Sequence, residues 1–190
     1  MKFIRTEISD VVLIEPSRIG DDRGYFSETF RADTLKEFLG FQVNFCQDNE
    51  SKSGFGVLRG LHFQVPPFAQ TKLVKVIQGK VLDVAVDIRK GSPTFGKHVA
   101  VELSSENRLQ MFVPKGFAHG FVVLSETAIF NYKVDNYYNQ PSDRGIAFDD
   151  PSIGIDWVLK FEDLKLSRKD QKQHLLKEAD LFDFNIDLYA

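Results

Sequence analysis

Cysteine is almost absent. Cys46 is the only one, so no disulfide can form within the chain. A reducing, cytoplasmic setting is the simplest expectation. With Phe45 beside it and no adjacent base, Cys46 reads as a buried structural thiol rather than a nucleophile. Long apolar runs are missing too. Nothing approaches the ~20 residues of a membrane span, and Met1 to Glu7 lacks the apolar core of a signal peptide, so no membrane partner is expected. Neither charge dominates: 24 Lys and Arg face 27 Asp and Glu, with no basic block, which argues against a nucleic-acid footprint. A small phosphorylated ligand needs only two or three local cations and stays open. Gly-x-Ser-x-Gly, dinucleotide and P-loop patterns are all absent, excluding the commonest hydrolase, dehydrogenase and kinase signatures. No glutamate occurs between Ser51 and Val101, and His62-Phe63-Gln64 carries glutamine where a second metal ligand would sit. His119 would be an isolated partner, so no metal is expected.

Phenylalanine and β-branched residues are what the chain has in quantity. Eighteen phenylalanines in 190 residues suit a sheet protein with both faces engaged. Val11 to Ile14, Tyr25 to Phe30 and Val43 to Glu50 read as early strands. One early helix is expected from Asp33, as cap, to Leu39, with Gly40 as its stop. From Ser51 to Val134 strand follows strand, punctuated by Gly and Pro. Val81 to Ile88 alternates cleanly, with Leu82, Val84, Val86 and Ile88 on one face and Val81, Asp83, Ala85 and Asp87 on the other. Such spacing indicates an all-β fold, two packed antiparallel sheets of jelly-roll type, whose mouth can hold a ligand. No linker divides the chain, so residues 1–190 read as one domain. Residues 160–190 are expected to be a charged helical or tail segment with an apolar end packed on the barrel.

The stretch Val57-Leu58-Arg59-Gly60-Leu61-His62-Phe63-Gln64 places a guanidinium and an imidazole three residues apart inside a strand-like run. Arg59 among apolar neighbours suggests an anionic partner, phosphate or carboxylate, and His62 suits proton transfer near neutral pH. Lys72 could add electrostatic stabilisation, and Tyr132, sharing a strand face with Ala128, Phe130 and Val134, could act as an acid. Each has a plainer reading: a surface arginine, a satisfied core histidine, an exposed strand lysine, a core tyrosine bonded to a carbonyl.

These residues belong to a longer series. Asp22-Arg23-Gly24 with Phe26 and Glu28, Gln47-Asp48-Asn49, Leu58 to Gln64, Lys72-Leu73-Val74 and Val84 to Arg89 come first. Phe112-Val113-Pro114, Gly116 to Phe121, Tyr132-Lys133, Tyr137-Tyr138 and Asp149-Asp150-Pro151 with Ile155-Asp156-Trp157 complete it. In this order and spacing the chain resembles the dTDP-4-dehydrorhamnose 3,5-epimerases, cupin-fold (double-stranded β-helix) enzymes acting on nucleotide-linked 4-keto-6-deoxy sugars. The resemblance implies a double epimerase without cofactor, a homodimer in which N-terminal strands are exchanged, and a dTDP-sugar as ligand. It implies that His62 is the base, Asp170 its orienting acid, Tyr132 the acid on the opposite face and Lys72 the enolate stabiliser. Arg23 and Arg59 would hold the diphosphate. Glu28, Gln47, Asn49 and Tyr138 match nucleotide-contacting positions, and His119 a substrate-site histidine. Phe26, Asp48, Asp143 and Arg168 complete the implied binding set. The bulky loop Val65 to Gln70, Val158 after Trp157, and Asp143 depart from the family pattern. A mono-epimerase on a related sugar, a silent sugar-binding cupin and a metal-dependent cupin remain the alternatives.

Overall fold

The computed structural model describes all of residues 1–190, beginning with β1 (Lys2–Arg5), β2 (Val12–Glu15), β3 (Arg18–Asp21) and β4 (Gly24–Ser27). The helix α1 (Ala32–Leu39) leads to β5 (Gln47–Gly54), β6 (Leu58–Gln64), β7 (Lys72–Gln78), β8 (Lys80–Asp87) and β9 (Arg89–Lys90). Then come β10 (His98–Ser104), β11 (Gln110–Val113), β12 (Phe117–Val123), β13 (Thr127–Val134), β14 (Asp143–Gly145) and β15 (Phe182–Asp183). A six-stranded sheet runs β1-β2-β11-β7-β13-β5 and a five-stranded sheet β10-β8-β12-β6-β14, all pairs antiparallel. Face to face they form a cupin-like jelly roll.

The alternation read in β8 explains the layering. Val81 and Ala85 point between the sheets, where they meet Val74, Val76, Phe121 and Phe130. Leu82, Val84, Val86 and Ile88 point the other way and are covered by Ile146, Phe148, Trp157, Leu176 and Phe182 from the C-terminal part of the chain. Burial of both faces accounts for a strand with hardly an exposed residue. On the far side of the six-stranded sheet, Leu35 of α1 and Val43 cover Val12, Ile14, Leu73 and Phe112.

Four local expectations need correction. Asp33 does not cap α1: Arg31 is the cap residue, and the Asp33 carboxylate pairs with its guanidinium inside the first turn. Gly40 does end the helix, in left-handed conformation (φ 84°). The strand expected over 43–50 begins at Gln47 and runs to Gly54, because Val43 is drawn into the apolar layer beneath α1. Cys46 is exposed, not buried; as the chain enters β5, Phe45 turns inward against Phe30 and leaves its neighbour outside. Residues 160–190 hold no α-helix, only 3-10 turns at Phe161–Asp163, Asp170–Lys172 and Leu176–Glu178 and the short β15, which pairs with β9. The segment does pack on the barrel as expected: Leu176 and Phe182 are buried in the layer over β8, and Leu164, Leu166, Leu181 and Leu188 pack against it.

Candidate active site

Strict alternation along β6 would send Arg59 and His62, an odd number of residues apart, to opposite faces. They share one face because β6 carries a bulge. Opposite β12, Phe121 pairs with Arg59 and His119 with His62, so Gly60 and Leu61 together face Gly120 alone. Glycine is required there: a Cβ on Gly60 (φ 139°) would lie 2.5 Å from the Gly120 Cα. The bulge turns both functional side chains into the space between the sheets.

That space is a cavity of about 420 Å³. The five-stranded sheet supplies Arg59, His62 and His119, and the six-stranded sheet supplies Lys72 and Tyr132. Asp170 closes one side from the 3-10 turn, and its carboxylate lies 2.6 Å from His62 Nε2. Burial pushes the Asp170 carboxyl up, but the bond to His62 and its charge more than offset this and hold it below the ordinary value. An ionised carboxylate can only accept, so Nε2 carries a hydrogen toward Asp170, and Nδ1 is the nitrogen left to act as base when the imidazole is neutral.

A second histidine–carboxylate pair stands behind the first. His119 Nε2 is 2.9 Å from Asp83 Oδ1; both are buried, and burial pushes the imidazole pKa down against the pull of Asp83. The other Asp83 oxygen is buried without a partner. The Lys72 ammonium makes one long contact, to the His62 carbonyl at 3.4 Å. Its pKa is lowered to about 8, chiefly by burial, with Asp83 and Asp143 opposing the fall. The Tyr132 hydroxyl has no protein partner, so it is not the satisfied core tyrosine of the plainer reading. Burial raises its pKa while Arg59 pulls it back, so it stays protonated at neutral pH.

Arg59 is exposed, as in the plainer reading of a surface arginine, and it lines the cavity. The bulge brings it to the exposed rim, where Nε donates to Ser53 Oγ (3.1 Å) and no carboxylate pairs with it. Gln47, Asp48 and Asn49 lie along β5 beside the cavity without lining it. Asn49 pairs in register with Tyr132, Gln47 donates to Asn49, and Asp48 binds Lys133. Tyr138 donates to Asp143, which also holds Lys169. Arg168 is exposed and does not line the cavity; Lys165, Ser167 and Lys169 do, as do Glu50 and Ser51. Arg23, Phe26 and Glu28 sit away from the cavity within this chain, Arg23 paired to Asp21 in the exposed β3–β4 hairpin. Asp83, Lys165 and Lys169 were missed in the sequence. A carboxylate inside an apolar strand was the signal for Asp83; the lysines lie in a charged run that gave none. No three His, Cys, Asp or Glu side chains converge as a metal cluster.

Residues 5–178 match the model of the dTDP-4-dehydrorhamnose 3,5-epimerase family. The enzyme of that name from Shigella flexneri is 52% identical over 182 residues, 96% of this chain and 99% of the relative. A 3,5-epimerase structure from Legionella pneumophila, in complex with dTDP-4-keto-L-rhamnose, superposes with a TM-score of 0.93 at 49% identity, covering 97% of this chain and 99% of that one. A 3'-monoepimerase from Streptomyces bikiniensis in complex with dTDP-quinovose matches with a TM-score of 0.83 at 30% identity, covering 91% and 87%. With its jelly roll, its opposed histidine and tyrosine and this extent of shared sequence, the chain belongs to the dTDP-4-dehydrorhamnose 3,5-epimerase family.

Proposed function

We propose that the protein inverts C3 and C5 of dTDP-4-dehydro-6-deoxy-D-glucose, giving dTDP-4-dehydro-L-rhamnose. The observation that carries this reading is the position of His62 and Tyr132 on opposing sheets of one cavity, with Lys72 also lining it. A C4 ketone acidifies the hydrogens on C3 and C5. His62 Nδ1 takes one as a proton, and the C–H electrons move to form an enolate at the ketone oxygen. The Lys72 ammonium stabilises that charge, which exists only during reaction. Tyr132 then returns a proton from its own hydroxyl to the opposite face, and solvent restores both groups. The second centre follows the same course. No carbon changes oxidation state, so the chemistry calls for no redox cofactor. Arg59, Lys165 and Lys169 at the rim suit the diphosphate.

The ligand site is completed, in this reading, by a second copy of the chain. The β3–β4 hairpin leaves Ile19, Tyr25 and Phe26 51–73% exposed, an unusual load of apolar surface for a two-stranded arm. Its exchange into a partner would bring Arg23, Phe26 and Glu28 to the partner's cavity as binding residues. Gln47, Asp48, Asn49, Tyr138, Asp143, Arg168 and His119 are assigned to substrate binding on the same footing. A cytoplasmic setting is inferred from the exposed, unpaired Cys46. No helix is long and apolar enough to cross a membrane.

Proton NMR of dTDP-4-keto-6-deoxyglucose in deuterated water tests the reading. Deuterium at both C3 and C5, with product consumed by a rhamnose-forming reductase, is the expected result. Deuterium at one carbon would make the protein a mono-epimerase, and none at either would leave a different nucleotide sugar as substrate, or a binding protein.

A further inference from the structure

The last residues of the chain close a polar network outside the cavity. Thr71, the residue immediately before Lys72, is fully buried. Its N–H donates to Asp135 Oδ1 (2.6 Å), and its Oγ1 lies 2.9 Å from the Tyr189 hydroxyl. The same hydroxyl accepts the Lys115 N–H (3.0 Å), and the Lys115 ammonium returns to Asp135 Oδ2 (3.3 Å). Three strand ends are thereby tied together, since Thr71 precedes β7, Lys115 follows β11 and Asp135 follows β13.

Lys72 is the first residue of β7, and pairing on either side stops with it, at Val113 and at Val134. Beyond it the sheet is held by Asp135 and Tyr189. The Tyr189 ring is seated against Phe41 (4.4 Å between centroids), with Lys115 Nζ 4.9 Å from its centre and donating to the Leu188 carbonyl. Burial pushes its phenol up to about 12, so the hydroxyl stays protonated; it accepts from the Lys115 N–H and shares a hydrogen bond with Thr71 Oγ1 in which either hydroxyl can donate. None of the four residues lines the cavity, and the family match ends at residue 178, before Tyr189. The Lys72 ammonium has only its one 3.4 Å contact, so its placement depends on the backbone that carries it.

We propose that Tyr189 is a positioning residue for Lys72, fixing the end of β7 through Thr71 so that the ammonium meets the developing enolate oxygen. The inference rests on the enolate-stabilising role assigned to Lys72. Small displacements of a charged group from a reacting centre are felt in rate rather than in binding.

The test uses the full-length chain with the 4-keto-6-deoxy sugar nucleotide, in Tyr189→Phe, Thr71→Val, Lys72→Ala and the Tyr189→Phe/Lys72→Ala double variant. Phenylalanine keeps the ring packing, so Tyr189→Phe should fold; Thr71→Val removes the same bond from the other end. Both should lower kcat about tenfold with KM nearly unchanged, and both should move the alkaline limb of the kcat profile. Without Lys72, Tyr189→Phe should cost nothing further. An equal loss with and without Lys72 would mean a general structural role and overturn the proposal. So would a folded Tyr189→Phe enzyme with unchanged kcat and alkaline limb. Undiminished kcat in Lys72→Ala would instead remove the role of Lys72 itself, a separate failure.

Discussion

If His62 and Tyr132 divide one task between two faces of a sugar ring, as proposed, removing either should leave a different residual activity. His62→Ala should abolish solvent exchange at both C3 and C5, a loss of roughly 10²–10⁴-fold; normal exchange would point to another base. Tyr132→Phe should impair completed inversion more than initial exchange, because only the returning acid is gone, and equal loss of both would count against that division. Lys72 gives a prediction in pH. Its pKa stands lowered to about 8 from 10.5, so the ammonium is present below 8 and lost above it. Turnover should therefore fall as pH rises through about 8, measured as kcat under saturating substrate. A limb displaced to near 10.5 would mean that the ammonium keeps its ordinary affinity for the proton in the working enzyme.

At the scale of elements, the bulge in β6 is the feature on which the site depends. Gly60→Ala would set a Cβ 2.5 Å from the Gly120 Cα and hold alanine at a φ of 139°. The bulge would have to open, at a cost of about 1–3 kcal/mol, and His62 would turn with it. A lowered melting temperature together with lost exchange activity is the expected outcome. An active, equally stable Gly60→Ala protein would mean that the close approach of β6 and β12 is dispensable. The 3-10 turn at Asp170–Lys172 is a second such element. It is too short to have a period, yet it carries the carboxylate that fixes the His62 tautomer.

For the whole molecule, two sheets with three apolar layers frame the cavity, while the β3–β4 hairpin leaves Ile19, Tyr25 and Phe26 exposed. Phe26→Asp should weaken self-association in light scattering and raise the KM for the sugar nucleotide, leaving the fold of the barrel intact. A wild-type protein that is monomeric at working concentration would remove the exchanged-arm account. The sequence by itself determined the all-β architecture, because period-two alternation in strands such as β8 records which face meets which layer. It also determined the family, through the order and spacing of motifs from Asp22 to Trp157. It misjudged Cys46, whose burial depends on what lies opposite rather than on its chain neighbours. Only the tertiary structure decided that Arg59 and His62 share a face, since a bulge is a property of two paired strands and β6 does not announce the glycine that awaits it on β12. The tertiary structure likewise decided that Asp170 reaches His62 across 108 positions, that Asp83 stands behind His119, and that Tyr189 ends beside Thr71. Those contacts are made by chain closure, and local patterns carry no record of it.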